Sequence, residues 1–300
     1  NHAGPCQYMP QEDAKMAGSA WSKFPYDPKP YAYAGPALKK AWARLHAGDL
    51  EPFPEPQGLA ALAGVKPSGP VPGFKGDWED LALRLQDAWR AFHRGDFQEA
   101  CEAGARLGPM GAQVANKAAA VYCTYLEEDD KRAVRLLTEA AARGEEACRK
   151  LPGSANAWYF HAFALGRYAQ RISVLKALGE GVGTKVQKAL NTAIELESGH
   201  ADAHIALGAY HAEIIDKVGA LAGKLTYGAD RATAVRHFEK AIKLNPEAAV
   251  AYMEYANGLL MMEGDKKRAE AVKLYRKAAG CKPADAMERL DVEQARAELE

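Results

Sequence analysis

Ala164-Leu165-Gly166-Arg167-Tyr168 and Ala206-Leu207-Gly208-Ala209-Tyr210 are two copies of one motif, 42 residues apart. A third stretch, Phe238-Glu239-Lys240-Ala241-Ile242-Lys243-Leu244-Asn245-Pro246, predicts a helix that stops at its last two residues, because Pro cannot continue a helix. From Asp77 onward Ala, Leu, Glu, Lys and Arg dominate, and strand-like alternation is absent. A motif that recurs between such helix stops indicates helix pairs that stack on one another.

Weaker copies of the same pattern occur on both sides of this stretch. Gly95-Asp96 and Gly264-Asp265 each predict a turn between two helices. The sequence predicts an all-α protein with a repeat array over 77–283 and a polar capping helix at 284–300. We count five units, at about 81–112, 114–152, 155–199, 202–246 and 249–283.

Residues 1–76 differ from the array in composition. They contain twelve of the sixteen prolines, yet they are also rich in aromatic residues, which disordered segments lack. We therefore expect an extended N-terminal arm whose rings dock on the array. One short helix is predicted in the arm at about 37–47, because Pro36 suits a first turn and Gly48 suits the residue after the last turn.

The helix-pair units resemble the tetratricopeptide repeat (TPR), which implies a right-handed α-solenoid. Units three and four exceed the 34-residue TPR period by extra residues at about 173–185 and 215–230. These inserts are apolar, so we expect them to be buried, as an extension of the first helix over the groove or against a partner.

Two families of helical-repeat proteins have similar inserts. They are the periplasmic TPR protein associated with TRAP transporters and the regulator of microtubule dynamics family. Trp158-Tyr159-Phe160 and His200-Ala201-Asp202-Ala203-His204 carry this likeness, and the Ala/Gly-rich composition favours a bacterial branch. Both families imply binding rather than catalysis.

The first helix of each unit lines most of the concave groove of a TPR array, so the resemblance implies a binding site there. Arg167 and Arg171 are one helical turn apart and would suit an anionic group of a ligand, although two solvated neighbours would have the same spacing. The predicted groove and ligand-binding residues are Trp158, His161, Phe163, Arg167, Arg171, His204, His211, Met253 and Asn257.

The histidines also raise the question of a metal. His204 and His211 share a helix face, but their spacing separates the rings by about 10 Å along the axis. That is too far for one shared ion without another ligand, so no metal site is predicted.

Composition excludes several classes of function. The chain has 300 residues, 39 Lys+Arg and 39 Asp+Glu, so its formal net charge is zero, and no nucleic-acid partner is predicted. No run of eighteen apolar residues occurs, so no membrane span is predicted. The Gly-rich stretch 179–185 lacks the order of a phosphate loop, and no catalytic constellation stands out. We therefore predict no cofactor and no enzymatic activity.

Two functions remain at this point. The first is an interaction scaffold that binds a protein segment in the concave groove, with the arm filling part of the groove in cis or reaching a neighbouring subunit of a homo-oligomer. The alternative is a binding protein for a small molecule, either an organic acid or lipid-like. Five cysteines without a Cys-x-x-Cys pair favour the cytoplasm, whereas the transporter-associated family favours the periplasm.

Overall fold

The computed structural model describes residues 20–300, and these residues form helices and turns without any strand. Two helices lie in the arm, α1 (Ala37–Leu45) and α2 (Pro56–Leu62). The rest follow in chain order as α3 (Trp78–Arg94), α4 (Phe97–Ala105), α5 (Ala112–Tyr125), α6 (Asp130–Lys150), α7 (Ala155–Arg171), α8 (Val174–Gly179), α9 (Val182–Leu196), α10 (Ala201–Val218), α11 (Ala220–Tyr227), α12 (Arg231–Leu244), α13 (Ala249–Glu263), α14 (Arg268–Ala279) and α15 (Ala286–Ala297).

Ten of these helices form the five predicted pairs: α3 with α4, α5 with α6, α7 with α9, α10 with α12, and α13 with α14. The short helices α8 and α11 interrupt the third and fourth pairs, and α15 follows the fifth. The predicted all-α solenoid with inserts in units three and four is confirmed. The division of the chain at residues 76 and 283 stays a prediction.

Several helices of the array begin at side-chain caps. The side chains of Asp77, Asp129, Ser154 and Asp230 accept hydrogen bonds from backbone N–H groups in the first turn of α3, α6, α7 and α12. His200 does the same for α10, because its Nδ1 accepts from the N–H of Ala203 at 3.0 Å. Each cap satisfies donors that the helix itself leaves unpaired.

The inserts differ from the prediction. The first is not an extension of α7, which ends at Arg171, and in the second Gly219 at φ +83° separates α10 from α11. Three apolar residues of the inserts are not buried within the chain: Leu175, Leu221 and Leu225 are 83%, 75% and 79% exposed, and their burial against a partner stays a prediction. A one- or two-turn helix can turn only one face inward, and these leucines lie on the other.

The arm docks on the array. Its predicted single helix is α1, but a second helix, α2, follows, with Pro56 at its first position. Trp21 stacks on Tyr122 of α5 with ring centres 4.2 Å apart, and Trp42 lies edge-on to Trp89 of α3 at 5.9 Å. The arm thus shares one hydrophobic core with the first helix pairs. The predictions that concern residues 1–19 lie outside the described residues.

The last helix, α15, contacts α3, the first helix of the array, and α1 of the arm. Asp285 caps α15, and its Oδ2 lies 2.8 Å from Nδ1 of His93 on α3. Arg44 of α1 donates to both carboxylate oxygens of Glu288 at 2.6 and 2.9 Å. Contacts between α15, the arm and α3 therefore close the array on itself.

Four cysteines of the described region, Cys101, Cys123, Cys148 and Cys281, are free thiols, and Cys6 lies outside that region. The cytoplasmic location inferred from unpaired cysteines stays a prediction. Within residues 20–300, none of the helices has both the length and the apolar character that crossing a membrane requires.

The two copies of the Ala-Leu-Gly-x-Tyr motif should respond oppositely to the same change. A Cβ at Gly208 would lie 2.8 Å from the Phe238 ring, which is fully buried and also held against Gly258, whereas a Cβ at Gly166 meets nothing within 4 Å. We expect Gly208→Ala to lower the free energy of unfolding by about 1–3 kcal/mol through overpacking. Gly166→Ala should raise it by about 0.5–1 kcal/mol through helix propensity.

Urea denaturation of the two variants beside the wild type measures both shifts. Equal shifts of the same sign would contradict the packing role assigned to Gly208.

Candidate functional site

A cavity of about 170 Å³ lies between the third and fourth helix pairs. Helices α7, α9 and α10 form its walls, and α8 and α11 contribute to its rim. Its wall is mostly apolar, as expected for a site that takes an apolar group. The main apolar wall residues are Phe163, Val182, Val186, Leu190, Ile205 and Ile214.

The arm reaches the inner end of this cavity through residues 46–51. Lys117 of α5, which lines the cavity, donates to Oδ2 of Asp49 at 2.6 Å. Asn156 of α7 donates to Glu51 at 2.6 Å, and the N–H of Asp202 on α10 donates to the carbonyl of Gly48 at 3.1 Å. The arm therefore occupies part of the concave face in cis.

Residue 48 must be Gly because its backbone lies close to Asp202, and not because the arm helix ends there. A Cβ at this position would collide with the carboxylate of Asp202. The helix α1 already ends at Leu45, three residues before the Gly48 stop that the sequence predicted.

A buried ion pair sets the electrostatics of the inner end. Burial alone would raise the pKa of Asp49, but Lys117 and His46 hold it well below its ordinary value. Burial would lower the pKa of Lys117, but Asp49 raises it, so the pair remains charged. His46 lies 2.8 Å from Asp49, yet burial lowers its pKa to about 4 and keeps it neutral.

Three other acids of this region have raised pKa values, in contrast to Asp49. Burial, reinforced by the charge of Asp49, raises the pKa of Asp202 to about 7 and that of Glu51 to about 8. Burial likewise raises the pKa of Asp291 on α15 to about 8, although the hydroxyl of Tyr125 donates to it. These three acids are therefore largely or partly protonated at neutral pH.

Some of the predicted groove residues meet here. Phe163 and Arg167 line the cavity, and Arg167, Arg171, Met253 and Asn257 line a more polar cleft of about 280 Å³ beside it. Glu254 lies 3.1 Å from Arg167, and Asp130 lies 2.7 Å from Arg171. Each guanidinium group thus already has a carboxylate partner, and the anion site expected at this pair stays a prediction.

The other four predicted residues pack between helices and line neither space. Trp158 donates to the carbonyl of Pro152 at 2.9 Å, and His161 Nδ1 lies 3.0 Å from the carbonyl of Ala141. His204 Nδ1 lies 2.8 Å from Nδ1 of His237, and His211 accepts from the N–H of Asp230. Residues 20–300 contain no group of three or more His, Cys, Asp or Glu placed to hold a metal ion.

The residues that the sequence reasoning missed are Lys117, Asp202, Tyr210 and Asp291. They come from α5, α10 and α15, so no local spacing joins them. One signal was available: Asn116 and Lys117 interrupt the otherwise apolar stretch 114–123, where a charged residue is out of place unless it has a buried partner.

Comparison with known proteins agrees with the fold. A family model described as regulator of microtubule dynamics protein 1-3 matches residues 109–300. No curated protein matches the sequence. The crystal structure of TTC0263, a thermophilic TPR protein of Thermus thermophilus, is similar with a TM-score of 0.52 and 16% identity, over 72% of this chain and 99% of that one.

Two crystal structures of MamA are similar with TM-scores of 0.37 and 0.38, at 20% and 19% identity. The matches cover 70% and 74% of this chain and 96% of each MamA chain. The likeness to TTC0263 shows a TPR-like fold, and the likeness to the transporter-associated family stays a prediction.

The three protonated acids predict how stability depends on pH. Their pKa values in the folded state, about 7 for Asp202 and about 8 for Glu51 and Asp291, exceed the unfolded value of about 4. The folded state therefore binds more protons than the unfolded state up to pH 8. The stability this contributes is lost as the pH rises through the folded pKa.

We expect the free energy of unfolding to fall between about pH 6.5 and 8. Below that range His46, His200 and His237 act in the opposite direction, because burial lowers the pKa of each to about 4 and unfolding lets them take up protons. Asp291→Asn should flatten the decline, whereas Asp216→Asn at an exposed position should not. Denaturant unfolding at several pH values measures the free energy of unfolding of each protein. A constant wild-type value from pH 6.5 to 8 would contradict the raised pKa values of the three acids.

Proposed function

The chain belongs to the regulator of microtubule dynamics protein 1-3 family, and we propose that it is a non-catalytic binding protein for a small apolar molecule. The observation that carries this proposal is the cavity between the third and fourth helix pairs. Its mostly apolar wall offers dispersion contacts to a ligand, and several polar and charged side chains lie among the apolar ones.

The arm supports a small ligand over an extended peptide in the groove. A TPR groove binds a protein segment along its concave face, but here residues 46–51 bond to α5, α7 and α10 on that face. A peptide at the same place would have to displace the Lys117–Asp49 ion pair. The cavity beside the arm requires no such displacement.

The buried histidine–carboxylate pairs do not argue for catalysis. His46 pairs with Asp49 and His93 with Asp285, and both imidazoles are almost completely buried. Neither His lines the cavity, so neither is placed to transfer a proton to a molecule bound in it.

Filling the cavity should abolish ligand binding. Ala209 lines the cavity on α10, and a Trp there would occupy the space of the ligand. We expect the wild type to bind the uncharged dye N-phenylnaphthylamine saturably at one site per chain. Ala209→Trp should bind it at least about tenfold more weakly, a loss of about 1.4 kcal/mol.

The matched control is Ala232→Trp, an exposed position on α12. A fluorescence titration of the three proteins gives the dissociation constants. Failure of the wild type to saturate, or equal binding by Ala209→Trp, would overturn the proposal.

A second candidate function, an interaction scaffold for a protein segment, is favoured by the exposed leucines of α8 and α11. Leu175, Leu221 and Leu225 flank the rim of the cavity with little cover from the rest of the chain. Exposed apolar side chains on inserted helices suit protein–protein contact. The family description names the regulation of microtubule dynamics, which fits a protein partner.

Replacing these leucines should remove partner binding without unfolding the protein. The triple variant Leu175→Ser, Leu221→Ser, Leu225→Ser should stay within about 0.5 kcal/mol per site of wild-type stability, because surface changes cost little. Proteins that the wild type binds from an extract of its own host should not bind to this triple variant. Leu83→Ser, at a leucine of α3 that is also exposed, is the control, and retention of the same proteins by the triple variant would refute this candidate.

A further inference from the structure

The cations that line the cavity are already paired. Lys117, Arg167 and Lys217 each have a carboxylate partner within ion-pair distance. The pairs are Lys117 with Asp49 at 2.6 Å, Arg167 with Glu254 at 3.1 Å, and Lys217 with Glu213 at 3.6 Å. None of the three is left over to neutralise a further acid.

Two acids of the same cavity have no cation of their own. Asp291 accepts a hydrogen bond from the neutral hydroxyl of Tyr125. The side chain of Asp202 has no hydrogen bond or ion pair to any residue of 20–300, and the backbone of Gly48 lies against it. The cavity wall therefore carries an excess of two carboxyl groups at its inner end.

A separate observation points to a ligand with polar atoms. Tyr210 lines the cavity and is 7% exposed, yet its hydroxyl has no hydrogen-bond partner within the described region. A buried hydroxyl without a partner is costly, and a ligand that bonds to it removes that cost. Tyr210 and Asp202 are eight residues apart on α10, or about 12 Å along the helix axis.

We propose that the cavity binds an alkylammonium: a cationic amine on an apolar chain, with the ammonium beside Asp202 and Asp291, the chain along the apolar wall, and a hydrogen-bonding atom of the chain beside the Tyr210 hydroxyl. The inference rests on the proposed function of the cavity and names its ligand class. A carboxylate or phosphate on the same chain would face two acids, so the organic acid suggested by Arg167 and Arg171 is disfavoured.

Because the two acids bind protons near neutral pH, ligand affinity should depend on pH. The pKa of Asp202 is raised by burial and by Asp49, and lowered by Lys117, with Asp285 and Glu288 adding to the rise. Burial also dominates the raised pKa of Asp291. An ammonium stabilises both carboxylates, so its binding releases protons near neutral pH and strengthens as the pH rises from 6 to 8.5.

The test compares decylammonium, decanol and decanoate, which share one chain and differ in the polar group. Displacement of N-phenylnaphthylamine should show decylammonium binding at least tenfold more tightly than decanol, and decanoate more weakly than decanol. Asp202→Asn and Asp291→Asn should each weaken decylammonium at least tenfold and leave decanol unchanged. Asp87→Asn, an exposed position on α3, is the control.

The wild type alone supplies a second measurement that needs no variant. Calorimetric titration with decylammonium in buffers of different ionisation enthalpy should show proton release at pH 7.5. Decanol binding as tightly as decylammonium, or no proton release, would overturn the ammonium assignment while the cavity function stands. Absence of binding by all three compounds would overturn both.

Discussion

The ion pair between Lys117 and Asp49 is the interaction on which the rest of the structure depends. Both side chains are almost fully buried, and the ammonium also lies 5.3–5.8 Å from the ring centres of Trp89, Phe92 and Phe160. A buried charge that loses its partner costs about 3–5 kcal/mol, a large part of the roughly 5–15 kcal/mol that stabilises a typical domain. The array therefore requires the arm, because only the arm supplies Asp49.

Docking of the arm changes what a TPR-like array can bind. Asp49 reaches Lys117 only if residues 46–51 enter the concave face, and there they meet Asn156 and Asp202. The preceding helix, α1, contacts both α3, through Trp42 and Trp89, and the returning helix α15, through Arg44 and Glu288. A groove suited to an extended peptide becomes a smaller, partly open cavity with mostly apolar walls, in which Lys117 and Asp202 lie at the end next to the arm.

The repeat motif predicted the fold but not the site, for a physical reason. Helix periodicity and Pro stops are local, so they gave the five pairs and the approximate ends of each. The partners that decide the site are distant: Glu254 is 87 residues from Arg167, and Asp49 is 68 residues from Lys117. No spacing rule could show that the arginines expected to bind an anion already have carboxylate partners. Two copies of one motif can also have different surroundings: Gly208 lies close to the Phe238 ring, whereas Gly166 faces open space.

The inserted helices connect the two candidate functions physically. Leu178 of α8 and Tyr227 of α11 line the cavity, whereas Leu175 and Leu225 on the same helices are exposed. A ligand inside and a protein outside would thus contact opposite faces of the same short helices. If the position of these helices differs between the bound states, each binding event must change the affinity of the other by the same factor. Exposed leucines on the rim of a cavity therefore make a partner a natural regulator of the ligand, and the ligand a natural regulator of the partner.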